Sequence, residues 1–171
     1  MVAVAVGLVA ACVAIVHARR LVQAATRRHT LLLPVEAGHV VLAAGMATMF
    51  LAPRVGSGVA FVWIYLVAAL VFLGFAAGRR ECCDAPFWSC YSMLAVESFA
   101  MAAVVGAAHG WTDHLTALFV TVFASAGVVG AARLVVPRFV PRFVPAFAGG
   151  GSLTPAASRV VMSGVMLLMF L

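Results

Sequence analysis

The 171 residues are 65% hydrophobic and 9% charged, with a mean hydropathy of +1.16, whereas a soluble domain carries about 25% charged residues. This excludes an ordinary soluble domain and predicts an all-α integral membrane protein in contact with a lipid bilayer. All 11 basic residues are Arg, against 5 acidic ones; in such a chain Arg clusters act as orientation signals and anionic-lipid contacts, so the basic balance does not read as nucleic-acid binding.

Apolar runs long enough to cross roughly 30 Å of hydrocarbon fall at about Val2–Ala18, Leu32–Ala52, Val59–Gly78, Phe87–Ala108, Leu115–Val136 and Ala156–Leu171, which predicts six transmembrane helices. The first run has no basic segment before it and is followed at once by Arg19 and Arg20, so it is expected to be a retained span and not a cleaved leader. Arg19, Arg20, Arg27 and Arg28 follow the first run, Arg79 and Arg80 the third, and Arg133, Arg138, Arg142 and Arg159 surround the fifth-to-sixth connection. Arg54 alone lies in the alternate loops. Under the positive-inside rule both termini are therefore expected outside the cytoplasm, in a bacterial plasma membrane.

The second run, "EAGHVVLAAGMATMFL" from Glu36 to Leu51, carries a histidine followed by two methionines. At 100° per residue His39, Leu42, Met46 and Met49 fall within roughly 80° of one another and form one stripe. After the third run come the adjacent Cys82 and Cys83, expected as reduced cytoplasmic thiols, as a release point for a metal or as a site of reversible palmitoylation. The fourth run holds Glu97 near its midpoint, with Tyr91, Leu94, Ser98 and Met101 at the stripe positions. An ionisable group at that depth is paired, protonated or facing water and marks an intramembrane polar site; its expected partners are His39, Tyr91 or Arg159. The loop "HGWTDH" supplies His109, Asp113 and His114, an outer access site for a cation or an interfacial anchor. "VPRFVPRFVPAF" and the Gly-rich stretch behind it form a cytoplasmic loop at about 137–155, where Pro every fourth residue ends helix and Arg and Phe suit the headgroup zone.

The last run repeats the second. Aligning 38–51 with 158–171 matches Val40 with Val160, Val41 with Val161, Met46 with Met166, Met49 with Met169, Phe50 with Phe170 and Leu51 with Leu171 without a gap. The odd runs close on "HARR", "AAGRR" and "GAAR", so the chain reads as one membrane domain of three helical hairpins, 1–52, 53–109 and 110–171. The second helix of each would line a centre, with His39, Met49, Glu97, Met101 and Met169 turned inward.

On Gly38, His39, Gly45, Met46, Ala47, Met49 and Phe50 the sequence resembles an uncharacterised family of actinobacterial membrane proteins with a His…Met-Ala-x-Met helix. The resemblance implies a bacterial membrane protein and carries no activity. Thioethers and imidazole together favour a soft ion such as Cu(I), which makes His39, Met46, Met49, Met101, Met166 and Met169 the candidate metal donors; otherwise the stripe is packing. Haem is the weaker reading, because His17 stands at the cytoplasmic edge and His39 deeper. With no catalytic motif the chain is not expected to be an enzyme. The second function class is a non-catalytic accessory subunit, docking through the small residues of "AVVGAAHG" and "ASAGVVGAA" on a membrane-protein partner or a second copy.

Overall fold

The computed structural model describes residues 1–27, 33–78, 90–107, 116–135 and 154–170, and every regular element among them is helical. The order is α1 (Val2–Thr26), α2 (Leu33–Leu51), α3 (Pro53–Gly56), α4 (Val59–Gly78), α5 (Cys90–Ala107), α6 (Thr116–Val135) and α7 (Thr154–Phe170). α1, α2 and α4 are long and apolar enough to cross a membrane, and shorter apolar stretches cover Tyr91–Ala107, Thr116–Val128 and Val160–Phe170. α4 has no charged residue and turns Trp63, Ile64, Val67, Leu70 and Leu73 outward. A helix apolar on every side belongs in a core or a bilayer, and outward exposure of this kind fits lipid.

α1 departs from the sequence expectation. The apolar run ends at Ala18, but the helix continues two turns further to Thr26, because Arg19, Arg20, Leu21, Gln23 and Ala24 all tolerate helix. Hydropathy marks where the lipid ends, and the helical backbone has no need to stop there. Among the described residues the one helix that no expected span accounts for is the four-residue α3, opened by Pro53 in its first turn.

Helices pack mainly with their neighbours in sequence: α1 on α2, α4 on α5, α6 on α7; α2 also meets α5, and α1 meets α7. α1 and α2 are antiparallel, since Gly7 near the start of α1 lies against Phe50 and Leu51 at the end of α2. Two small residues of α2 admit the second pair. At Gly38 an added Cβ would stand 2.5 Å from Phe72 of α4 and 3.1 Å from Leu94 of α5, and at Gly45 it would stand 2.8 Å from the Tyr65 ring and closer still to its hydroxyl. Phe119 of α6 joins α7 through Phe170 (ring centroids 5.4 Å apart) and α5 through Phe99 (6.0 Å).

Candidate functional site

Two sets of chemically distinctive side chains stand out, a polar group whose members touch one another and the methionines of the apolar core. The polar one lies between α1 and α2, near their connected ends. His17 and Arg20 are three residues apart on α1 and so share a face; Glu36 and His39 do the same in the first turns of α2. Antiparallel packing sets these faces together. The His17 Nδ1 lies 2.6 Å from Glu36 Oε2, and the Arg20 Nε lies 3.3 Å from Glu36 Oε1. The His39 ring stacks on His17 with centroids 4.6 Å apart and planes 10° from parallel, and its own Nδ1 donates to the Val35 carbonyl at 2.8 Å.

These partners fix the proton positions. A carbonyl oxygen only accepts, so Nδ1 of His39 carries a hydrogen. The Glu36 carboxylate accepts from the Arg20 guanidinium on one oxygen, which leaves the other to accept from Nδ1–H of His17. Burial is graded: the Arg20 side chain is 32% exposed, while His17 and Glu36 are at 4% and 7%. Ionisable side chains within an apolar helix pair meet one another because lipid offers them no other partner.

The pairing of His17 with His39 corrects the expectation that the two stand at different depths. Because α1 continues to Thr26, His17 lies more than two turns before its end and stands level with the first turns of α2. The correction does not restore haem, which needs axial imidazoles on opposite faces of one iron; stacked parallel rings present no such gap. Glu36 was not singled out by sequence reasoning, although a signal existed: an acidic residue opening one helix, and a His-x-x-Arg face closing the helix before it.

The methionines lie in the apolar core. Met46, Met101 and Met166, from α2, α5 and α7, are fully buried in one apolar cluster with Met162, and Met49 and Met169 pack against it half-buried. Met49 is also covered by α3, whose Gly56 lies against its backbone. Met93 is buried as well. Glu97 and Tyr91 on α5 are both buried, with the Tyr91 ring 5.4 Å from Phe75. The hydroxyls of Ser98 and Ser163 are buried without a hydrogen-bond partner among the described residues. His109, Asp113 and His114, Cys82 and Cys83, and the Pro-Arg-Phe loop lie outside the described residues, as does the side chain of Arg159. Among the described residues no three His, Cys, Asp or Glu side chains gather into a metal-holding group.

The small faces divide. On α5, Ala102, Val105 and Gly106 are buried, whereas on α6 Ala117, Thr121, Ala124, Ser125 and Val128 are exposed along one side. The hydroxyls of Thr121 and Ser125 bond back to the carbonyls of Ala117 and Val122, both at 2.8 Å, so that side presents no unsatisfied donor to its surroundings.

Residues 32–171 match the family described as "Domain of unknown function (DUF5134)", and the chain belongs to that family. α1, with His17 and Arg20, precedes the matched region. No curated protein and no solved structure matches the chain.

Proposed function

We propose that this DUF5134 chain is a small, non-catalytic, six-span protein of the bacterial plasma membrane that binds or conducts a soft monovalent metal ion, Cu(I), among its interior methionines. One observation carries the reading: among the described residues methionine is sorted inward. Every methionine after Met1 is buried or packed on the core, while Leu8, Leu51, Leu70, Leu73, Leu118 and Leu168 face outward. Leu and Met are close in volume and apolarity, so packing alone sorts them weakly. Thioethers bind Cu(I) without deprotonation and without adding a negative charge to an apolar interior. The donors are Met46, Met101 and Met166, with Met49 and Met169 beside them. His39 is left out of this set, since its Nδ1–H is committed to Val35 and its face to His17.

The same proposal takes α2, α5 and α7 as the second helices of three repeated hairpins, with both termini outside the cytoplasm. The Arg-only, Lys-free composition supports an actinobacterial source. The accessory-subunit reading keeps one specific support, the exposed small-residue side of α6, which permits close helix approach. Competition with a Cu(I) chelator separates the two. The parent protein should hold Cu(I), and a Met46→Leu, Met101→Leu, Met166→Leu variant should lose it while remaining folded, each swap costing less than about 1.5 kcal/mol. Equal affinity in both, or no binding in either, leaves the methionines as packing and the accessory reading in front.

A further inference from the structure

The end of α1 carries charge that the methionine reading does not use. Residues 1–35 contain four Arg and no Asp or Glu, and α1 continues as helix beyond its apolar run, to Thr26. We propose that this end is a binding site for an anionic phospholipid. The phosphate is held between Arg19 and the outer N–H groups of Arg20, and an acyl chain lies along the exposed side of α1 beneath them.

Arg20 meets Glu36 through Nε alone, at 3.3 Å, and its side chain is one-third exposed. A guanidinium has five N–H donors in a fixed fork, so the N–H groups of its two Nη atoms are open to a second acceptor on the exposed side. Glu36 is buried and shared between Arg20 and His17, whereas Arg19 and Arg27 are exposed and enter no ion pair among the described residues. Positive charge is thus in surplus at the surface, with its counter-charge held beneath. A zwitterionic headgroup would bring a further cation to this cluster, while a headgroup of net negative charge brings none, and that difference selects the anionic lipid.

The order of residues along the helix matches the order of groups along a lipid. Ile15 and Val16 stand one turn below Arg19 and Arg20 respectively, and both are exposed; Leu8 and Cys12 continue the same outward side toward the start of α1. The apolar run ends at Ala18, so the two guanidinium groups follow it directly, at headgroup level, with their stems on the apolar surface. Arg27 is seven residues past Arg20, about 10 Å along the axis and on nearly the same side, and adds to the positive field within about one Debye length. The partial negative charge of the helix C-terminus is confined to the last turn, which lies beyond Arg19 and Arg20.

The test measures which lipid lies against α1. In the full chain with Cys82, Cys83 and Cys90 replaced by Ser, a bimane on the exposed Cys12 sits about two turns below Arg19. The protein is reconstituted in phosphatidylcholine vesicles containing phosphatidylglycerol or phosphatidylcholine with a nitroxide on the acyl chain, and quenching is followed against mole fraction. Half-quenching should need roughly one-fifth as much of the anionic lipid, the weight of about one Arg at a charged surface. A bimane at Leu70→Cys in a Cys12→Ser background, on the exposed side of α4, should show no preference, and Arg19→Gln with Arg27→Gln should abolish the preference at Cys12. Equal quenching by the two lipids at Cys12, or the same preference at both labels, overturns the proposal with every arginine in place, whether or not the Arg variants fold. So does a preference that survives in the double Arg variant. Loss of the preference in sodium phosphate, at an ionic strength where sodium chloride preserves it, also overturns the proposal, because the cluster would then be a site for free phosphate. No metal is present, so the result is independent of the methionine reading.

Discussion

Replacing Gly45 with Ala should open the joint between α2 and α4. The new Cβ would stand 2.8 Å from the Tyr65 ring carbon that bears the hydroxyl, and nearer still to the hydroxyl oxygen. Tyr65 is 1% exposed, so the ring has nowhere to withdraw and the helices must separate. Overpacking of this kind costs typically 1–3 kcal/mol, and a rigid, enclosed ring places it near 3; Ala returns about 1 kcal/mol over Gly in a helix interior, leaving a net loss of about 2 kcal/mol. Removing the hydroxyl with Tyr65→Phe takes away the closest contact and leaves ring carbons at 2.8 and 3.3 Å, whose relief should cost about the 1 kcal/mol that Ala returns over Gly, so Gly45→Ala in that background should be close to neutral. The coupling between the two changes is then about 2 kcal/mol. Thermal unfolding in detergent should show Gly45→Ala melting about 4–8 °C below the parent, with most of that difference absent between Tyr65→Phe and the double variant. A Gly45→Ala protein as stable as the parent, or a penalty unchanged by Tyr65→Phe, would refute the close approach of these helices.

Glu36→Leu takes the carboxylate away from both His17 and Arg20 and should lower stability by about 3–5 kcal/mol, whereas His17→Leu leaves Glu36 its contact with Arg20 and should cost less. The double variant should lose clearly less than the sum, and additive losses in detergent unfolding would show that the two are not coupled. An added Cβ at Gly74 meets nothing within 4 Å, so Gly74→Ala should be neutral or gain up to about 1 kcal/mol, and a lower melting temperature would mean that this side of α4 is covered. Reporter fusions after Arg80 and after Trp111 should report cytoplasm and exterior respectively; the reverse would overturn the orientation.

Helix positions were largely legible because the bilayer imposes them: Val59–Gly78 coincides with α4, and Leu32–Ala52 differs from α2 by one residue at each end. What was not legible is where one helix stands against another. Hydropathy ended the first span at Ala18, and that short helix put His17 at the edge and His39 further in. Helix propensity in "LVQAAT", a signal independent of lipid, carries α1 on to Thr26 and reverses the conclusion. Glu36 was equally readable as an interfacial charge until His17 and Arg20 stood opposite it. The inward sorting of Met46, Met101 and Met166 depends on helix rotation, which a stripe at helical spacing suggests and only packing fixes.

The central claim is that sulfur atoms inside the bundle hold a soft metal ion, and X-ray absorption at the copper edge tests it most directly. Protein loaded with Cu(I), with Cys12, Cys82, Cys83 and Cys90 all replaced by Ser, should bind copper and show a first coordination shell of sulfur, which can then come only from thioethers. A shell of nitrogen or oxygen alone, or a protein that takes up no copper once the cysteines are gone, would contradict the account.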